Sequence, residues 1–133
     1  MMSAATMGAT AFQKGLGAIH ALSHPIGAIY HTHHGTTNAI CMPAVLQFNR
    51  PAITDLMGHA ANYLGIAGGF DGFCDYVDTL NASLGIPRKL SGLGLESPDI
   101  DRIVAGALLD PSTGGNPVEM TKENTTKLLL EIV

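Results

Sequence analysis

Residues 15–49 read GLGAIHALSHPIGAIYHTHHGTTNAICMPAVLQFN and contain no Asp, Glu, Lys or Arg. Five of the six histidines of the chain lie in this stretch: His20, His24, His31, His33 and His34. Because a fully buried charge needs a partner, a long uncharged segment is normally an interior one. Imidazoles in such a segment need partners for their ring nitrogens, and a metal ion is a frequent partner. The stretch therefore predicts a buried core that also carries the chemistry of the protein.

The same stretch indicates helices at the N-terminal end of the chain. Residues 4–21 are rich in Ala and Gly, lack turn pairs and predict one helix. We expect that helix to end near His24, because the residue before a proline, here Pro25, disfavours the α conformation. After a short loop, a second buried helix is expected to begin near Gly35 and either to kink or to restart at Pro43.

Apolar residues recur at helical spacing throughout the rest of the chain. Pro51 suits the first turn of a helix that ends at Gly65, and the next apolar stripe closes at Gly85. Ser97 and Thr121 are expected to cap the two helices that follow. The positions predicted to face the core are Ile53, Leu56, Met57, Ala60, Ala61 and Leu64 in the first stripe, and Phe73, Val77, Leu80 and Leu84 in the second.

The composition limits the fold and the surface of the protein. No alternating or β-branched run indicates a strand, so residues 1–133 are predicted to form a single all-α domain of about five to six helices. Hydrophobic residues make up 46% of the chain and charged residues only 14%, whereas about 25% charged residues is usual for a soluble domain. We therefore expect exposed apolar surface that pairs with copies of the chain or with another polypeptide.

Charge and cysteine content exclude several classes of function. The net charge is −4 and no basic cluster is present, which argues against nucleic-acid binding. Cys41 and Cys74 are too few for a disulfide framework or a Cys-x-x-Cys metal site, and reduced thiols fit a cytoplasmic protein. The N-terminus lacks the positive region of a signal peptide, and His and Pro residues interrupt the apolar segment 15–49. We therefore expect a soluble protein without a membrane partner.

The spacing of the histidines favours a metal site. His20 and His24 are four residues apart, which places them on one face of a helix. Two helical histidines that bond to neighbouring groups are the simpler alternative, but His33 and His34 follow closely with no competing charge. No carboxylate occurs in the first 54 residues. An anionic ligand must then come from later in the chain, with Asp110 the leading candidate, or from residues outside it.

The other histidines have structural interpretations. His31 and His33 lie in a polar loop, where solvated imidazoles are common, and His59 falls between the positions of an apolar stripe. The loop Asp110–Pro117, DPSTGGNP, holds two glycines and two prolines within eight residues. Such a loop is either a turn between helices or one wall of a site that a ligand approaches closely.

Three segments carry recognisable motifs: GLGAIHALSHPIG at 15–27, HGTTNAI at 34–40 followed by Pro43 and Asn49, and DPSTGGNP at 110–117. Together they resemble the iron-containing (group III) alcohol dehydrogenases, and the resemblance spans nearly the whole chain. That family has an N-terminal α/β domain that binds NAD or NADP and a C-terminal helical domain that holds the metal. The chain resembles the helical domain only, which implies that the cofactor-binding domain is absent from these residues.

The resemblance implies roles for particular residues. His20 and His34 would be ligands of Fe²⁺, for which Zn²⁺ can substitute, and the family's other two ligands, an Asp and a His, would lie upstream of these residues. His24 would lie beside the nicotinamide and the substrate as a proton-relay or positioning group, which makes it a catalytic and a cofactor-binding candidate. Asp110 would line the same cleft as a second catalytic candidate. Many members have Cys where this chain has Ser112, so a hydroxyl replaces that thiol.

The implied function is oxidation of an alcohol, or reduction of an aldehyde, by hydride transfer with NAD or NADP. Since half of the metal ligands and the cofactor domain would be missing, the isolated chain is expected to be inactive. Two alternatives stay open. The chain could be a non-catalytic helical module that oligomerises through its apolar surface, or one half of a split dehydrogenase. The expected partners are a small alcohol or aldehyde in the complete enzyme, and either copies of the chain or a cofactor domain.

Overall fold

The computed structural model describes residues 1–133 as six α-helices with no strand. The helices are α1 (Met2–Ala11), α2 (Ala18–Tyr30), α3 (His34–Tyr63), α4 (Gly69–Ser83), α5 (Ile100–Leu109) and α6 (Lys122–Ile132). Short 3-10 helices occur at Phe12–Lys14, Leu90–Leu93 and Pro111–Gly115. The prediction of an all-α fold with about five to six helices is confirmed.

The second helix, α2, lies at the centre of the fold. It packs against both α3 and α5, and α6 contacts α3 and α5 as well. One contiguous apolar core joins these four helices. Its largest fully buried members are Leu22, Ile26, Leu90, Ile103 and Leu129. Because α2 is held by two neighbouring helices, the histidines on its surface have a rigid support.

The N-terminal helix is shorter than the sequence predicts. One helix over residues 4–21 does not form, because the backbone turns at Gly15, where φ is 96°, a conformation that favours glycine. The helix α2 then begins only at Ala18. No residue of α1 is buried, so α1 contributes nothing to the core of these 133 residues.

The helix α2 also continues further than predicted. It passes through Pro25 to Tyr30 instead of ending near His24. The Pro25 ring packs against α5 at Gly106, where an added Cβ would come within 2.7 Å of the Pro25 Cβ. Close packing of the two helices therefore outweighs the backbone hydrogen bond that Pro25 cannot donate.

The longest helix, α3, runs without a break from His34 to Tyr63. It contains both Pro43 and Pro51, so the prediction that a helix begins at Pro51 is wrong, and Pro43 does not restart the helix. The predicted end is confirmed, because Gly65 follows with a positive φ of 72°. No helix of the chain, α3 included, combines the length and the apolar character needed to cross a membrane.

The apolar stripes of α3 and α4 are only partly buried. Beyond Pro51, Ala61 is the one buried residue of α3, while Leu56 and Leu64 are 62% and 56% exposed. In α4, Val77 is buried but Leu84 is 66% exposed. The three exposed leucines, Leu56, Leu64 and Leu84, were predicted to face the core, yet no segment of the chain packs over them. They form exposed apolar surface of the kind that the composition predicts.

The last two helices begin with side-chain caps. The cap of α5 is Asp99, whose Oδ1 accepts a hydrogen bond from the Arg102 backbone N–H at 3.0 Å. Ser97 was the predicted cap, two residues too early. Thr121 caps α6 as predicted, in a capping box with Asn124, which satisfies backbone donors at the start of the helix.

Candidate metal centre

Three histidines converge where α2 and α3 meet. His20 and His24 lie one turn apart on α2, and His34 is the first residue of α3. The ring centroid of His20 is 5.3 Å from that of His34, and each of the other two pairs is 5.5 Å apart. Only three residues separate the helices, and His31 makes the turn with a φ of 56°. This tight turn brings the start of α3 against the face of α2 that carries His20 and His24.

One asparagine lies between two of these rings. The Nδ2 atom of Asn38 is 3.3 Å from Nε2 of His20 and 3.1 Å from Nε2 of His34. Nitrogens from two different helices therefore face one point. The Oδ1 atom of Asn38 is buried and has no hydrogen-bond partner, a state that costs about 1–3 kcal/mol. Two converging imidazole nitrogens beside an unsatisfied oxygen are a donor set that fits a bound cation.

The electrostatics of His20 favour its neutral form. Burial lowers the pKa of His20 below its ordinary value, and the nearby His34 and His24 lower it further. A metal ion binds the neutral imidazole, so a lowered pKa reduces the competition from protons. The lowered pKa therefore favours the neutral form of His20, which is the form that binds a metal.

His24 is paired with Asp110. Its Nδ1 lies 2.8 Å from Oδ2 of Asp110, and the two side chains are 41% and 12% exposed. Asp110 follows α5 directly, and its Oδ1 accepts a hydrogen bond from the Ser112 backbone N–H at 2.8 Å. Burial acts to raise the pKa of Asp110, but hydrogen bonds from Ser112 and His24 outweigh it and hold the pKa below its usual value. A charged Asp110 accepts a hydrogen bond from Nδ1–H of His24, and in the neutral ring this leaves the Nε2 lone pair free.

The carboxylate of Asp110 is thus bonded to His24 and does not join His20 and His34 as a third donor. No three His, Cys, Asp or Glu side chains of the chain are arranged to hold a metal ion together. The chain therefore brings two nitrogens to the point beside Asn38.

The pairing of Asp110 predicts a specific pH dependence of stability. Because its pKa in the folded chain lies below the ordinary value of 3.8, the charged carboxylate stabilises the fold above that pH. This contribution disappears as the pH falls through the lowered pKa. We expect Asp110→Asn to destabilise the chain at neutral pH, and the difference from the wild type to shrink steadily below about pH 4.

Urea unfolding of both proteins between about pH 2.5 and pH 6 measures this difference. The matched control is Asp55→Asn, since Asp55 is exposed on α3 and its replacement should change stability little at any pH. A stability difference for Asp110→Asn that stays constant across the whole range would contradict the pairing.

The loop that follows α5 holds the start of α2. Oδ1 of Asn116 accepts hydrogen bonds from the Ala18 backbone N–H at 3.1 Å and from Nδ2 of Asn49 at 2.9 Å. Nδ2 of Asn116 donates to Oδ1 of Asn49 at 2.7 Å. A Cβ on Gly115 would overlap the carbonyl oxygen of Leu16. Gly115 therefore permits a close approach of two backbones, and this contact holds the start of the helix that carries His20.

The remaining histidines lie outside the cluster. Nδ1 of His33 accepts a hydrogen bond from the Thr36 backbone N–H at 3.3 Å, so His33 caps α3. His31 occupies the turn and His59 is exposed on the outer part of α3. Asn38, which lies within HGTTNAI, was not predicted to belong to the site. An amide at helical spacing from a histidine is common, and only the fold brings His20 close to it.

Two of the clefts on the surface differ in their position relative to the histidine cluster. The larger, about 380 Å³, lies between α3, α4 and residues 86–89 and shares no residue with the histidine cluster. The smaller, about 290 Å³, is lined by residues 15–20 and 115–117 with Asn49 and Val45, and so opens beside His20. The smaller cleft is the one that continues the candidate site.

Comparison with known proteins gives a consistent result. Residues 1–133 match the sequence model of a protein family, described as "Fe-containing alcohol dehydrogenase family, C-terminal". The 4-hydroxybutyrate dehydrogenase of Cupriavidus necator is 38% identical over 97% of the chain and 36% of its own length. The NAD-dependent methanol dehydrogenase of Bacillus methanolicus is 30% identical over the same shares, 97% and 36%. The crystal structure of a 1,3-propanediol oxidoreductase superposes with a TM-score of 0.82 at 26% identity, covering 89% of the chain and 33% of that protein. The chain spans about a third of the length of these relatives.

Proposed function

We propose, on the premise that the chain belongs to the iron-containing alcohol dehydrogenase family and corresponds to its C-terminal region, that it supplies half of the metal site of such a dehydrogenase. The observation that carries this proposal is the convergence of Nε2 of His20 and Nε2 of His34 on one point. Family membership supports the class of enzyme, and the geometry supports the choice of His20 and His34 as the residues that would hold the metal.

In this proposal His20 and His34 hold Fe²⁺, with Zn²⁺ as a substitute, and the remaining ligands come from outside these 133 residues. When bound, the metal supplies Lewis-acid polarisation of the substrate oxygen, and NAD or NADP accepts the hydride. Support for NAD comes from the name of the methanol dehydrogenase relative. Because the chain covers about a third of each relative, the cofactor-binding residues other than His24 would also lie outside it.

His24 is proposed to move the proton that alcohol oxidation releases. Asp110 accepts the hydrogen bond from Nδ1 and so keeps that proton in place, which leaves Nε2 to accept a proton and pass it on. The side chain of His24 is 41% exposed, so it can exchange the proton with solvent. Asp110 acts by orienting His24.

The proposed substrate is a primary alcohol or the matching aldehyde. The names of the relatives specify 4-hydroxybutyrate, methanol and 1,3-propanediol, each of which carries a hydroxyl on a terminal carbon. A primary alcohol needs little room around the reacting carbon, and the cleft of about 290 Å³ beside His20 is small. These names support the class of substrate and no single compound within it.

A second candidate function has an observation of its own. Every residue of α1 is exposed, with Met2 and Met7 at 87% and 73%. Phe12, which follows α1 and is 54% exposed, has its ring centroid 5.7 Å from that of His20. A helical module that oligomerises, or that docks on a separate cofactor domain, would bury this surface. The two functions are compatible if the partner is the cofactor domain, which is the split-dehydrogenase alternative.

The proposal predicts that the 133-residue chain alone has no dehydrogenase activity. With Fe²⁺ or Zn²⁺, NAD or NADP and a series of primary alcohols, we expect no reduction of the cofactor above the uncatalysed rate. Addition of a recombinant N-terminal domain from a family member should restore turnover, because it brings the other ligands and the cofactor. The measurement is absorbance of the reduced nicotinamide over time.

Three outcomes would separate the alternatives. Turnover by the chain alone would contradict the proposal that it holds half of the site. Restored turnover with the wild type but not with His24→Ala would support the proton role, whereas failure to bind any divalent metal in the mixture would favour the oligomerisation module.

A further inference from the structure

The partners of Asn38 point to a role for this residue in the site, in addition to metal ligation by His20 and His34. Its Nδ2 contacts only the two Nε2 atoms, and its Oδ1 has no partner. Apart from these two contacts, the amide therefore makes no hydrogen bond to any backbone or side-chain group of the fold. Asn38 lies one turn after His34 on α3, so these two side chains share a face, and the cluster supplies both contacts of the amide.

The chemistry of an amide nitrogen fixes the direction of both hydrogen bonds. A side-chain NH₂ group has two hydrogens to donate and cannot accept. Both Nε2 atoms must then present lone pairs, and each neutral ring must carry its proton on Nδ1. In water, a neutral histidine side chain prefers the opposite tautomer, with the proton on Nε2, and such a ring must relocate its proton before Nε2 can bind a metal.

We propose that Asn38 is a positioning residue that holds His20 and His34 in the Nδ1–H tautomer, with both Nε2 lone pairs turned to one point, before a metal arrives. This inference rests on the proposed function, since it concerns the same two nitrogens. In metal sites the tautomer is usually fixed by a group bonded to the other ring nitrogen. Here one amide fixes two rings from the metal-facing side, and an arriving cation displaces it.

The displacement also accounts for the unsatisfied oxygen. While Nδ2 contacts both rings, Oδ1 stays buried without a donor. Once a cation occupied the two lone pairs, the amide would be released and Oδ1 would no longer be held in this unpaired position. The cost of the unpaired oxygen is thus borne by the metal-free state and offsets part of the cost of displacing the amide.

The test is the tautomer of each histidine in the metal-free chain. Long-range ¹H–¹⁵N correlation spectra of the uniformly ¹⁵N-labelled protein, recorded where the imidazoles are neutral, distinguish a protonated from an unprotonated Nε2. We expect unprotonated Nε2 in His20 and His34. The exposed His31 and His59 serve as internal references, with protonated Nε2 predominating. Protonated Nε2 in either His20 or His34 would overturn the proposal.

Two variants extend the test. Asn38→Ala should return both rings to the tautomer of the references and weaken Zn²⁺ binding by about tenfold, as loss of an orienting partner does in other metal sites. Asn38→Asp, nearly the same in shape, accepts hydrogen bonds instead of donating them and should force protonated Nε2 in both rings. Asn62→Ala, at an exposed position of α3, is the matched control and should change neither property. Unchanged tautomers in Asn38→Asp would overturn the proposal even if Asn38→Ala does not fold.

These outcomes are distinct from those that test the proposed function. A chain that binds metal through His20 and His34 but shows the reference tautomer refutes only the role of Asn38. A chain with the expected tautomers that binds no metal refutes only the proposed function.

Discussion

Replacement of His20 by alanine should reduce the affinity of the chain for Fe²⁺ or Zn²⁺ by about a hundredfold or more, and His34→Ala should do the same. The chain brings two nitrogens to the candidate site, so either substitution removes half of what it contributes. Loss of a group that merely orients a ligand already costs about 10–100-fold in affinity, and loss of the ligand itself should cost at least as much. Competition against a chelating dye measures the change.

The control for these variants is a histidine outside the cluster, on the helix that carries His34. His59 is exposed on α3 and lies outside the cluster, so His59→Ala should leave metal affinity unchanged within error. Circular dichroism of each variant establishes that the helices are retained. Equal losses in His20→Ala and His59→Ala would mean that the ligand assignment is wrong.

Replacement of Gly115 by alanine should destabilise the fold by about 2–3 kcal/mol, the range found for overpacking of a rigid interior. The added Cβ would overlap the carbonyl oxygen of Leu16, which is backbone and cannot rotate away. Relief requires the loop and the segment before α2 to separate, and that movement breaks the hydrogen bond from Ala18 to Asn116. Chemical denaturation should show the loss, and the melting temperature should fall by roughly 10 °C.

The adjacent residue provides a matched control. Gly114 belongs to the same 3-10 helix as Gly115, and a Cβ added there has no atom within 4 Å. Gly114→Ala should therefore change stability by no more than about 0.5 kcal/mol. If the two substitutions destabilise the chain equally, the cause is the general cost of alanine in this loop, and the close approach to Leu16 is not what holds α2.

Much of the fold could be predicted because it depends on local patterns. The charge-free segment 15–49 forms the interior helices, and the apolar spacing after Pro98 places α5 and α6 correctly. Thr121 was identified as a cap from its own sequence neighbours, and the capping box with Asn124 follows the same local rule. The grouping of His20, His24 and His34 also follows from spacing, once a short turn joins the two helices.

The errors arise where contacts between distant segments override local preference. Pro25 was expected to end a helix, but packing against Gly106 on α5 keeps it inside α2. Next to the break at Gly15, the carbonyl of Leu16 lies against Gly115, about a hundred residues later in the chain. No local pattern contains either contact.

In the candidate site, too, local patterns predicted the residues involved, but not the contacts between distant segments. The bond between His24 and Asp110 joins residues 86 positions apart. The sequence offered Asp110 as a source of a carboxylate and, through the resemblance, as a catalytic candidate in the same cleft as His24, but it did not predict their direct pairing. Asn38 was visible in the sequence, but its relation to His20, 18 positions away, depends on how α2 and α3 pack. Residue types and spacing thus indicated the cluster, whereas the pairing within it required the fold.

The central claim is that His20 and His34 are the metal-binding pair of this chain. The most direct measurement is a titration of the metal-free, ¹⁵N-labelled protein with Zn²⁺ while the ring signals of all six histidines are followed by NMR. The account predicts that the signals of His20 and His34 change together and saturate at one equivalent, while those of His31, His33 and His59 stay in place. Changes confined to those three histidines, or no change in any ring, would contradict it.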